Sequence, residues 1–80
     1  MPLARNVAEN LRVVRMRKQL SQESVARKSG LSVSYVSMLE RGARMPPLET
    51  LEVIAEALDV SPLDLLREPP PARASSHRKR

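Results

Sequence analysis

The chain reads as an all-α domain of five helices, and three observations predict that class. Apolar residues recur at three- and four-residue spacing through most of positions 1–66. No segment alternates apolar and polar side chains as a half-buried strand would. Residues suited to starting or stopping helices fall between the periodic segments.

The first helix is expected from Asn6, whose spacing to Glu9 matches a capping box with Asn in place of Ser or Thr. Val7, Leu11 and Val14 follow at helical spacing, the pattern runs to about Gln19, and Leu20 links to a cap at Ser21. Gln22–Ser29 forms a second, short helix whose narrow apolar stripe is Val25 and Ala26. Gly30 stops it in a left-handed conformation. Leu31 is read as a buried link and Ser32 as the next N-cap. A third helix over Val33–Arg41 turns Val36 and Leu39 inward and ends at Gly42.

Arg44-Met45-Pro46-Pro47 is a loop that proline keeps from being helical. The fourth helix starts at about Pro47 or Leu48. Its apolar face is read as Leu48, Leu51, Ile54, Ala55 and Leu58, with Glu49, Glu52 and Glu56 towards water. Ser61-Pro62-Leu63-Asp64 is a second capping box, opening a short fifth helix that ends near Leu66. The expected core is Leu11, Val14, Leu20, Val25, Leu31, Val36, Leu39, Leu51, Ile54, Leu58, Val60 and Leu63.

Eighty residues allow one domain, over residues 1–66. Residues 67–80 are expected to be a disordered, basic tail, because REPPPARASSHRKR stacks prolines, serines and bases without apolar periodicity. The absence of cysteine excludes disulfides and thiolate metal sites. No apolar run approaches a membrane span, so a soluble, cytoplasmic, nucleoid-associated protein is expected. His77, the one histidine, lies in the tail, and no carboxylates or histidines have metal-ligand spacing. Neither enzymatic activity, a cofactor nor a metal is expected.

The net charge of +5 conceals a division. Residues 1–45 carry nine basic side chains against three acidic, residues 46–68 one against six, and residues 69–80 add four bases. A basic half followed by an acidic half suggests one face for a polyanion and another for solvent or protein. Tyr35 is the only aromatic residue, too few for a single-strand stacking platform. The second and third helices, joined by so tight a turn, form a helix-turn-helix. Val33, Ser34, Tyr35, Ser37 and Met38 fall on the front and sides of its second member, a short helix shaped for a DNA major groove.

Leu11 to Leu66 resembles the phage repressor/Cro-type helix-turn-helix family, also called the xenobiotic response element family. The matching residues are LRxxR at Leu11–Arg15, SQxxxAxxxGLSxSYVSxLERG at Ser21–Gly42, PPLETLxxIAxAL at Pro46–Leu58 and VSPxxLL at Val60–Leu66. The resemblance implies a compact five-helix, lambda-repressor-like domain that binds operator DNA as a dimer. By that resemblance Gln22 lies beside a phosphate, and Ser32, Val33, Ser34, Ser37 and Met38 meet the major groove. Tyr35 and Arg41 flank the backbone, Arg44 lines the other phosphate strand, and Arg15 with Glu40 forms an internal ion pair.

Asp59 stands where the family usually has glycine, and Asp tolerates the left-handed region. The groove-facing set lacks Gln, Asn and Arg, so recognition would lean on Arg44, DNA shape and water. The small core, with Leu65 and Leu66 to spare, suggests a homodimer through those two residues. The expected function is a sequence-specific transcriptional regulator, a small bacterial or phage repressor or controller on a near-palindromic operator. The alternative is an antitoxin-like adaptor that binds a protein partner through its acidic second half.

Overall fold

The computed structural model describes residues 2–69. Those residues form five helices and no strand: α1 (Pro2–Arg17), α2 (Gln22–Ser29), α3 (Val33–Glu40), α4 (Leu48–Leu58) and α5 (Pro62–Leu66). The all-α class and the order of the helices match the expectation. No helix among the described residues is long and apolar enough to cross a membrane. Most of the expected tail, residues 70–80, lies outside the described residues.

α1 begins four residues before the expected cap. Asn6 is inside the helix, because Pro2 is acceptable in a first turn and Ala4 supplies a buried position that extends the apolar stripe back from Val7. Its side chain works elsewhere: Asn6 Nδ2 donates to the carbonyl of Leu66 at 3.1 Å. One turn on, the buried Asn10 donates through Nδ2 to the carbonyls of Leu65 and Arg67 at 3.0 and 2.7 Å. Two asparagines on one face of α1 thus take up carbonyls that the end of α5 leaves unpaired.

Four helices end in the same way. At Gln19, Gly30, Gly42 and Asp59 the backbone turns left-handed, with φ of 60°, 70°, 72° and 61°. In each case the following N–H reaches back five residues: Leu20 to Arg15, Leu31 to Ala26, Ala43 to Met38 and Val60 to Ala55. This hydrogen-bond pattern satisfies carbonyls orphaned at a helix end. Asp59 takes the glycine-like conformation expected of it. Gln19 does so without any sequence signal, which is why α1 stops at Arg17 and not near Gln19.

Gly30 allows a clean test, since a Cβ built there meets nothing within 4 Å. Gly30→Ala should therefore lose about 1 kcal/mol from backbone strain alone. Urea denaturation that showed a loss several times larger would mean that a steric contact also forms.

The core is closed by Val7, Leu11 and Val14 of α1, Val25 and Ala26 of α2, Val36 and Leu39 of α3, Leu51, Ile54, Ala55 and Leu58 of α4, and Leu65 of α5. Leu20, Leu31, Val60 and Leu66 pack against it partly buried. Two expected assignments on α4 and α5 need correction. Leu48 is 71% exposed, because it opens α4 at the edge, one turn before the buried Leu51. On α5 the leucines are exchanged: Leu65 is 0% exposed, whereas Leu63 is 67% exposed.

The reason for that exchange is rotational. Pro62, Leu65 and Leu66 share one helical face, which α5 sets against α1 and α4, and Leu63 lies roughly a quarter-turn away. Leu65 is thus core and cannot meet a second copy of the chain, while Leu66 retains part of its surface.

Candidate nucleic-acid interface

α3 is held from behind. It packs on α1 and α2, burying Val36 and Leu39 completely. Its outward side is left clear: Ser32, Val33 and Ser34 are exposed, and Tyr35, Ser37 and Met38 are half-buried. Tyr35 rests against the core, so its ring belongs to the scaffold as well as to the surface. The side chains expected at the groove therefore lie along one face of a short helix.

Two of the serines already accept hydrogen bonds within the domain. Ser32 Oγ accepts from the Tyr35 N–H at 3.1 Å, and Ser37 Oγ accepts from Arg41 Nη1 at 2.7 Å. Each hydroxyl keeps its hydrogen and one lone pair, so each can still donate a hydrogen bond. Donors of this kind suit the acceptors on guanine, on adenine N7 or on thymine O4 along the major-groove edge. The Ser37 bond also holds Arg41 along the helix surface. Arg44 is exposed in the loop between α3 and α4, clear of the core.

Beneath α3 lies a knot of polar contacts centred on Glu40. Arg15 Nε donates to Glu40 Oε2 at 2.6 Å and Arg15 Nη2 to Oε1 at 3.1 Å, a two-pronged guanidinium–carboxylate pair. Arg15 Nη1 donates to the carbonyl of Leu20 at 2.8 Å, and Gln22 Nε2 donates to Glu40 Oε1 at 3.0 Å. One carboxylate thus joins α1, the first residue of α2 and the end of α3, and Arg15 adds the turn before α2. Both partners are largely withdrawn from water, with side-chain exposures of 15% for Arg15 and 5% for Glu40. The hydrogen bond to Glu40 raises the Arg15 pKa above its ordinary value; burial opposes this and the coulombic attraction adds to it.

The sequence expectation for Gln22 omitted the Glu40 contact. Its amide is tied inward by one hydrogen and retains the other. At the same end of α2, Ser21 Oγ accepts from the Ser24 N–H at 3.0 Å, leaving the N–H groups of Gln22 and Glu23 unclaimed by that cap. This is a helix N-terminus with oriented donors, the arrangement a phosphate oxygen would meet. Among the described residues, no cluster of histidine, cysteine, aspartate or glutamate could hold a metal ion.

The helix-turn-helix family model matches residues 11–65. The chain belongs to the Cro/repressor-type helix-turn-helix family of transcriptional regulators. It is 42% identical over 66 residues to the uncharacterised HTH-type transcriptional regulator y4dJ of Sinorhizobium fredii, covering 82% of this chain and 86% of that protein. The control protein C.BamHI of Bacillus amyloliquefaciens is 41% identical, over 72% of this chain and 73% of its own length. Among solved structures, the restriction-modification controller protein C.AhdI of Aeromonas hydrophila superposes with a TM-score of 0.75 at 42% identity, over 78% of this chain and 94% of that one. This helix-turn-helix family consists of DNA-binding regulators and not of enzymes, and its partner is double-stranded DNA. In the helix-turn-helix of the present chain, α2 and α3 are the two members.

Proposed function

We propose that the chain is a small repressor or controller that binds a near-palindromic operator as a homodimer, with α3 in the major groove. The observation that carries this reading is the clear outer face of α3, set on a scaffold of buried apolar residues and the Arg15–Glu40 pair. Ser32, Val33, Ser34, Ser37 and Met38 meet base edges, while Gln22, Tyr35, Arg41 and Arg44 hold the sugar-phosphate strands. Two copies place their α3 helices about 34 Å apart, in successive major grooves. The copies meet through α5, where Leu63 and Leu66 replace Leu65 as the apolar contact. A protein with this partner acts in the cytoplasm, on the nucleoid.

The test is selection of duplexes from a random pool, followed by binding titrations over a range of salt. The expected result is a steep fall of affinity with salt. Ser34→Ala with Ser37→Ala should compress the preference between selected and unselected duplexes, and Arg44→Ala should weaken binding to all of them about equally. If both sets of substitutions leave selected-site affinity intact, α3 does not read the operator.

A second reading has one observation in its favour: an acidic cleft between α4 and α5, lined by Glu52, Glu56, Asp59 and Asp64. Such a surface suits an adaptor that binds a basic protein partner. Weak binding to every duplex, with a flat salt response, would favour it.

A further inference from the structure

α1 and the turn after α3 enclose a second polar cleft, of about 510 Å³. Arg5, Ala8, Glu9 and Arg12 line it from α1, and Arg41 with Gly42 lines it from the end of α3. Arg5 and Arg12 are seven residues apart, with Ala8 and Glu9 between them, so all four share one face of α1. Close approach of the two walls is possible because Ala8 and Gly42 are small; a Cβ built on Gly42 would lie 3.7 Å from that of Ala8.

The charge in this cleft is unbalanced. It is lined by three guanidinium groups and two carboxylates, and one of those carboxylates, Glu40, is already engaged by Arg15. Among the described residues, the salt bridges are Arg15–Glu40 and Arg67–Asp64, so Arg5, Arg12 and Arg41 have no carboxylate partner. A concave site with surplus guanidinium charge is built for an anion with several acceptor oxygens.

Its place on the domain selects the source of that anion. The eight residues of α3 span about 12 Å, roughly the width of the major groove. When the N-terminal end of α3 faces the bases, its C-terminal end at Arg41 reaches a bordering phosphodiester strand. Arg5 and Arg12 of α1 line the same cleft as Arg41.

We propose that this cleft seats a phosphate of the duplex backbone just outside the groove α3 enters, with Arg5 and Arg12 as its outer ligands and Arg41 as the inner one. This inference rests on the DNA-binding reading. It extends the footprint of the domain onto α1, a helix to which the operator contacts above assign no role. The contact carries no base information, so it adds affinity and sets register without altering preference.

The test compares the full chain with its Arg5→Gln, Arg12→Gln variant on two duplexes carrying the same selected site. One duplex continues several base pairs past the site on each side and the other is cut at its edges. On the long duplex the variant should bind roughly tenfold more weakly, with a log–log salt slope shallower by about 1. On the short duplex the two proteins should bind alike, and their ranking of different sites should be the same.

An equal loss on both duplexes would overturn the proposal, since it would reflect the overall charge and not a seated phosphate. No loss on either would overturn it as well. Titration of the wild-type chain with inorganic phosphate, read on the arginine side-chain resonances, gives the remaining arm. Saturation of Arg5 and Arg12 without any dependence on duplex length would assign the cleft to a small free anion and reject the duplex. A wild-type chain that binds neither duplex would refute the DNA-binding reading itself, an outcome distinct from all of these.

Discussion

Glu40→Ala should destabilise the domain by about 3 kcal/mol, a large part of what a fold of this size possesses. The side chain is almost fully buried, and three donors, Arg15 Nε, Arg15 Nη2 and Gln22 Nε2, end on its two oxygens. Removing the carboxylate leaves a guanidinium at 15% exposure with no counter-charge. In a domain of this length the loss should lower the melting temperature by more than 10 °C. Replacing Arg15 and Glu40 together by apolar residues of similar volume should cost much less, because no lone charge is then left in the interior. A double variant as unstable as Glu40→Ala would show that the knot acts through the backbone contact to Leu20 and not through charge. The hydrogen bond to Glu40 raises the Arg15 pKa, so the stability tied to its charge is present below the unfolded value. That contribution is lost only as pH rises through the folded value, in strongly alkaline solution, and pH changes near neutrality should not disturb it.

Leu65→Ala and Leu63→Ala, two residues apart on a five-residue helix, should differ by several kcal/mol. Leu65 is completely enclosed, and truncating an enclosed leucine costs about 2–5 kcal/mol through lost burial and the cavity left behind. Leu63 is mostly in water in the single chain, and at concentrations where the chain is monomeric its truncation should stay within about 0.5 kcal/mol. Charged substitutions separate stability from assembly. Leu65→Asp should abolish the cooperative thermal transition. Leu63→Asp should keep the helical signal and shift the chain from dimer to monomer in the ultracentrifuge. A Leu63→Asp protein that still sediments as a dimer would rule out the α5 contact proposed here.

Where the sequence was informative, the chemistry was local. Ser21, Ser32 and Ser61 cap their helices because a short hydroxyl side chain competes well for the first free N–H groups, whatever the rest of the fold does. Gly30, Gly42 and Asp59 are legible because few residues adopt positive φ readily. The outer face of α3 followed from Val36 and Leu39 alone: once those point inward, Ser34 must point out. Arg15 and Glu40, 25 residues apart, were paired only through the family resemblance, since no local rule links them.

What could not be read depended on where distant segments meet. Asn6 looks like a cap in isolation, yet it serves the end of α5, 60 residues away. Gln19 turns left-handed at the end of α1, and glutamine carries no local signal for that conformation. Leu63 and Leu65 are chemically identical; only the rotation of α5 against α1 and α4 decides which one is core. The sequence alone determined the helices, their caps and the character of the presented surface, because those depend on backbone sterics and on spacing along one helix. Tertiary structure decided which groups come together across helices: the asparagine clasp, the Glu40 knot, the buried leucine of α5 and the arginine cleft. Each of these depends on the relative placement of elements, which spacing within a single helix does not encode.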